Sequence, residues 1–169
     1  MRRTSNTGTI GAATAAPIVA AAMLLALTLT GSAPAGASTT SRLEQSFVEA
    51  INKVRADYGR APVRVNRQLR TAARAHTRDM LERQYFAHTD FARRIVEAGA
   101  PGSRVGEDLG WVEAGQMPVE TILYLWMQSP PHRAVVLRPG FELVGIGVAR
   151  GPFRGYQSTV VVTADFAGE

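Results

Sequence analysis

Trp126-Met127-Gln128-Ser129-Pro130-Pro131-His132-Arg133 is the stretch on which the fold turns, because it ends one helix and begins another within a few residues. Two adjacent prolines remove two backbone donors and stop the helix that carries Trp126, while Ser129 is placed to cap a new turn with Pro130 at its first position. His132 then falls in a first helical turn. There the positive end of the helix dipole disfavours imidazolium and keeps the ring available as an acceptor or metal ligand.

Upstream of this break, Pro118 opens a helix whose Val119, Ile122, Leu123 and Trp126 form one apolar stripe. Downstream, the new turn continues through Val135, Val136 and Leu137 to Pro139-Gly140. Two runs rich in β-branched and aromatic residues follow, Glu142 to Val148 and Tyr156 to Phe166, with Gly151-Pro152-Phe153-Arg154-Gly155 read as the turn of a hairpin. Toward the N-terminus, Ser41 and Glu44 have capping-box spacing, and Leu43, Phe47, Ile51, Val54 and Tyr58 recur at helical intervals until Gly59. Asn66 caps a second helix with Leu69, Ala73, His76 and Met80 on one stripe, where His76 reads as a packed histidine with one hydrogen bond. Asp90 begins a shorter helix with Phe91, Ile95 and Val96 that stops near Gly99, and Pro101-Gly102-Ser103 is a loop.

Two other strings carry chemistry: Tyr85-Phe86-Ala87-His88 and Gly106-Glu107-Asp108. Both are read as loops. With His132 they deliver two imidazoles and a carboxylate, the donor set of a cleft that binds a divalent metal or passes protons. Trp111, following the Gly106 to Gly110 loop, is the aromatic expected to be exposed.

The 169 residues suit one domain. Arg2 and Arg3 precede an apolar run from Ala16 to Thr30 and the small residues Ala35-Gly36-Ala37, so residues 1–37 read as a secretory signal peptide cleaved before Ser38. Residues 38–45 read as a short polar lead-in and residues 46–169 as the folded domain. No permanent membrane span is expected after cleavage, and the product is expected to be secreted or associated with the cell surface, as a monomer. The chain has no cysteine, which leaves a domain of about 130 residues to rely on burial alone. Removing Arg2 and Arg3 takes the formal charge from +5 to +3, and no arginine block is interleaved with exposed aromatics. Nucleic acid is therefore not an expected partner.

In order and spacing these elements resemble the CAP superfamily, the SCP-like extracellular or allergen-like domain, in its bacterial cysteine-free form. The matching strings run from Ile51-Asn52-Lys53-Val54-Arg55 through Ala72-Ala73, His76, Tyr85-Phe86-Ala87-His88, Val105-Gly106-Glu107-Asp108-Leu109 and Trp126 to Arg133, to Val144-Gly145-Ile146-Gly147-Val148. The resemblance covers Phe47 to Phe166. It implies an α+β fold, a three-layer α-β-α sandwich with a small antiparallel sheet, and a central cleft in which His88, Glu107 and His132 match the family's cleft set. In several members the two histidines hold zinc or another divalent cation, which makes His88, His132 and Glu107 the candidate metal ligands here.

Where many eukaryotic members carry a second cleft glutamate, this chain has Ser129. Where an asparagine usually follows the first glutamate, it has Asp108, which either restores a carboxylate to the cleft or faces away and caps a turn. The resemblance implies an extracellular binding or interaction module, with an apolar small molecule, a glycan or an envelope component as partner. The alternatives are a metal-dependent hydrolase acting on an envelope component, with Glu107 as the candidate catalytic residue, or a lipid or sterol carrier. A hydrolase that spends Glu107 as a ligand must take its base from Asp108 or Ser129, and the spacing of Ser129 and His132 suits a helix cap better than a nucleophile and its base.

Overall fold

The computed structural model describes residues 39–169, so the leader and its cleavage position lie outside the described residues. Helix α1 (Thr39–Asp57) already includes Ser41 and Glu44, so Ser41 lies inside the helix and not at its expected start. Glu44 is buried, and its carboxylate receives the Arg74 Nε and Nη2 of the next helix at 2.8 and 2.5 Å. Phe47 and Ile51 are buried as their spacing predicts, whereas Tyr58 lies past the end of α1, exposed beneath the Arg133 guanidinium. Asn52 pairs with both backbone groups of Val63, at 2.9 and 2.8 Å, and so sets the extended segment that becomes β1 (Arg64–Val65).

Asn66 accepts the Leu69 N–H and opens α2 (Arg67–Arg83), and Asp90 caps α3 (Phe91–Glu97) through Arg93 N–H. In α3 the core takes Ile95 but leaves Val96 in solvent. Next comes β2 (Arg104–Glu113), then α4 (Pro118–Gln128), α5 (Pro130–Val136), β3 (Phe141–Phe153) and β4 (Tyr156–Gly168). Pro118 and Pro130 both stand at helix starts, and the stripe Val119, Ile122, Leu123 and Trp126 is buried as expected. The Ser129 backbone stands at the start of α5, but its side chain makes no capping hydrogen bond.

The sheet order is β1-β3-β4-β2. Its three long strands are antiparallel, and β1 adds two residues in parallel to β3. Helices α2 and α3 cover one face; α1, α4 and α5 cover the other. This is the α-β-α sandwich. The core on the α1 and α4 side gathers Phe47, Ile51, Trp126, Val144, Ile146, Val162 and Phe166. On the other side Met80, Leu109, Phe153 and Val161 form one cluster and Leu69, Ile95 and Ala167 another.

Two readings of turns are corrected. The hairpin turns only at Arg154-Gly155, both with positive φ (50° and 90°), because a two-residue turn of this hand matches the twist of its strands. Gly151-Pro152-Phe153 belong to β3, with a register irregularity that accommodates the proline. Gly106 to Gly110 is strand, not loop, and Trp111 is half-buried against Phe153 and Tyr156, its ring centroid 5.8 and 5.3 Å from theirs.

On β3, Val144, Ile146 and Val148 face the α1 core while Gly145 and Gly147 face α2. A Cβ on Gly145 would sit 2.1 Å from Arg70 N, and one on Gly147 would sit 2.3 Å from the Ala73 carbonyl carbon. Helix backbone therefore rests directly on strand backbone. Thr77 fastens the contact, its hydroxyl lying 2.8 Å from Ala73 O, 3.1 Å from Gly147 O and 2.8 Å from Thr163 Oγ1.

Candidate functional site

His88 stands in the loop between α2 and α3, and that loop is fastened at each end. Gln84 leaves α2 in a left-handed conformation (φ 58°), donates to Leu81 O and Pro152 O, and accepts the Arg154 N–H. The Tyr85 hydroxyl donates to Asp79 at 2.5 Å, and the His76 Nε2 lies 3.1 Å from Ala87 O. Burial and the Asp79 hydrogen bond push the Tyr85 hydroxyl up to about 12. Thr89, also at positive φ (44°), leads into the Asp90 cap.

Glu107 and Asp108 lie on β2, the outer strand of the sheet, so their side chains leave on opposite faces. Leu109, two residues after Glu107, packs in the cluster beneath α2; Gly106 and Gly110, in step with Asp108, face Phe141 and Ile122 on the other side. Glu107 is thus directed at α2 and α3. Its side chain is fully buried, with Oε1 2.9 Å from His88 Nδ1, Oε2 held by Arg94 Nη2, and His76 Nε2 3.8 Å from Oε2. Asp165 is its direct partner across the β2–β4 ladder. Burial and the Glu107 charge push the Asp165 carboxyl up.

Asp108 neither caps a turn nor finds any side-chain hydrogen-bond partner, although it is fully buried. Asp108 is among the residues around a hollow of about 430 Å³, with His88, Glu107, Pro131, His132, Arg138 and Phe141. Burial first, and then Glu107, push its carboxyl up to about 8. Its consequence for stability has a definite sign. Between the ordinary carboxylate range and pH 8 the unfolded chain has lost this proton while the folded chain keeps it, so stability falls as pH rises, by at most about 1.4 kcal/mol per unit from this group. Asp108→Asn should flatten that slope. Melting curves of wild type and variant between pH 5 and 8 check it: the variant gains most at the alkaline end, and parallel curves would refute the assignment.

His132 occupies the first turn of α5, as its position after Pro130-Pro131 predicts. Its ring centroid is 6.4 Å from that of His88, with 37° between the planes. The pKa of His132 is lowered, first by burial and then by His88, which favours a neutral ring. Ser129 does not face the same hollow; it lines an adjoining apolar recess of about 270 Å³ with Phe86, Leu109, Trp111, Leu125, Trp126 and His132. Trp126 Nε1 donates to Leu109 O at 2.8 Å and ties α4 to β2 beside this recess.

The strings His88, Glu107-Asp108 and His132 therefore meet at the sheet's edge. His88 reaches Glu107 from the α2 and α3 side, and His132 closes the cleft from α5.

These contacts stand on a fold and a strand order that can be matched to known proteins. Residues 48–166 match the family model described as CAP, the cysteine-rich secretory protein family. This chain belongs to the CAP family. An uncharacterised Bacillus subtilis protein, YkwD, is 31% identical over 123 residues, which is 70% of this chain and 46% of that protein. The CAP chain thus spans under half the length of that curated relative. Its backbone also resembles an extracellular SCP-domain protein of Bacillus anthracis (TM-score 0.61, 20% identity, 75% of this chain and 40% of the other). An outer surface protein of Borrelia burgdorferi gives TM-score 0.61 at 17% identity over 77% of this chain and 96% of the other.

Three neighbours of Glu107 in this CAP chain were not singled out from the sequence as site residues. His76 is buried as expected, yet it stands beside Glu107 as well as Ala87, and burial lowers its pKa. Asp165 is a lone carboxylate in an apolar strand, a signal that was available in the sequence. Arg94 had none, since only the docking of α3 brings it to Glu107.

Proposed function

We propose that this chain is an exported CAP-domain binding module whose His88–His132 pair accepts a divalent cation, zinc being among the metals that neutral imidazoles suit. The observation that carries the reading is the orientation of His88. Its Nδ1 is engaged by Glu107 at 2.9 Å, which leaves Nε2 as the ring nitrogen with a lone pair, beside a His132 whose burial favours the neutral ring.

Glu107 does not fit as the third ligand expected from the sequence, because one oxygen is engaged by His88 and the other by Arg94. Among the described residues no three His, Asp or Glu side chains converge into a ready cation site. Two protein ligands leave the remaining positions of a bound cation to water or to an incoming ligand, which suits recruitment of a partner through the metal. When bound, the cation supplies a Lewis-acidic anchor. Glu107 orients His88, and the apolar recess beside His132 offers contact area.

Export is supported by the leader-like residues 1–37 and by the extracellular and outer-surface proteins that share the fold. Zinc titration calorimetry on the purified protein at neutral pH tests the metal reading. Uptake is expected in wild type and its loss in a His88→Ala, His132→Ala double variant whose circular dichroism is unchanged. Absence of heat from wild type rejects the cation site.

A further inference from the structure

Arg94, on α3, reaches two parts of the cleft at once. Its Nη2 holds Glu107 Oε2, and its Nη1 donates to the His88 carbonyl at 3.1 Å and to Thr89 Oγ1 at 2.8 Å. One planar fork therefore grips both partners of the His88–Glu107 pair, the carboxylate directly and the histidine through its own backbone. Its Nε is buried without a partner, a cost that a residue chosen only for packing would avoid. Arg55 shows the contrast: that guanidinium is spent wholly on backbone carbonyls and touches no carboxylate.

The grip has a geometric outcome. With Oε2 engaged by Arg94, Oε1 is the oxygen turned to His88, and with the His88 carbonyl fixed by the same fork the ring has one way to meet it, through Nδ1. We propose that Arg94 is a positioning residue that selects the Nδ1–H tautomer of His88 and so presents Nε2 to the cleft. The proposal deepens the reading of His88 and His132 as a ligand-accepting pair. It assigns to a residue of α3, outside all three cleft strings, control over which nitrogen a cation or ligand meets. A lysine cannot substitute, because an ammonium is a compact point charge without the rigid fork that spans two acceptors.

The test uses the full chain and the variants Arg94→Met and Arg94→Lys. In metal-free protein at about pH 8, where ordinary imidazoles are neutral, nitrogen-15 NMR of the histidine rings reads the tautomer directly. Wild type is expected to show His88 as a single Nδ1–H form, and both variants a mixture. Zinc affinity should fall about 10- to 100-fold in Arg94→Met, the range seen when a residue orienting a metal-bound histidine is lost. Arg94→Lys keeps the positive charge near Glu107, so it serves if Arg94→Met does not fold, and it too must lose the single tautomer. A melting temperature that drops while the His88 tautomer stays fixed would make Arg94 merely structural and overturn the proposal. If wild type takes no zinc but its tautomer still depends on Arg94, the metal reading fails and the positioning role stands.

Discussion

Gly145→Ala should destabilise this domain by about 3 kcal/mol or more, at the upper end of what overpacking costs, and Gly147→Ala by a similar amount. A methyl group at Gly145 would lie 2.1 Å from both Arg70 N and Leu69 C, and one at Gly147 2.3 Å from Ala73 C. Those are main-chain atoms, so no rotamer change relieves the overlap; α2 would have to lift from β3 along its length. Lifting it would also pull Thr77 from Gly147 O and Thr163, and move His76 away from Ala87 and Glu107. Thermal unfolding followed by circular dichroism should show a melting point lower by roughly 10 °C or more. Gly59→Asn is the matched control, because Gly59 has positive φ (65°) but nothing within 4 Å of its absent Cβ. That change should cost about 1 kcal/mol or less, since asparagine tolerates the left-handed region. Equal losses at Gly145 and Gly59 would mean that backbone conformation, and not space, is what matters.

Arg55→Met is the second large effect, expected to cost about 3 kcal/mol or more, because several buried carbonyls lose their donor at about 1 to 3 kcal/mol each. Arg55 is 1% exposed and has no carboxylate beside it. Its Nε donates to Ala61 O at 2.8 Å, Nη1 to Val136 O at 2.7 Å and Arg138 O at 3.3 Å, and Nη2 to Phe141 O at 3.0 Å. Methionine fills much of the volume but leaves those carbonyls without a donor in a water-poor interior, and each such loss is costly. The end of α5 is among the groups released, so the His132 helix loses its anchor to α1. Denaturant titration gives the stability, and the His132 ring resonance reports whether α5 has loosened. Arg55→Lys should rescue little, since one ammonium cannot reach acceptors on three separate segments. A full rescue by lysine would show that charge alone suffices.

Much of this architecture could be read before any coordinates, and the reasons are local. The Asn66 cap, the prolines at 118 and 130 and the Val119-Ile122-Leu123-Trp126 stripe are signals that a helix carries within itself. Strand β2 carries no such signal. Gly106 and Gly110 lower its strand propensity and resemble loop residues, yet each is there because a Cβ would strike Phe141 or Ile122 across the layer. In the same way Gly151-Pro152 looked like a turn, while Arg154, poorly suited by type to positive φ, makes the real one. The cleft divides along the same line. His88, Glu107 and His132 stand in distinctive strings, whereas Arg94 and Asp165 reach Glu107 only through helix docking and strand pairing, which spacing along one segment does not encode.

The two acids side by side on β2 make the length of the 99–103 connection a chemical variable. Gly102 lies so close to Gly168 that a Cβ would meet its carbonyl oxygen at 2.8 Å, and Ser103 N–H donates to the same oxygen, so the strand enters the ladder at a fixed phase. Sliding it by a single residue would exchange the faces of Glu107 and Asp108. Asp108 would then meet the arginine and the histidines, and Glu107 would be thrust among Phe141 and Val135. Insertions or deletions in that short connection should therefore be far less tolerated than its surface location suggests, and loop grafting there would rewire the cleft without altering one of its side chains.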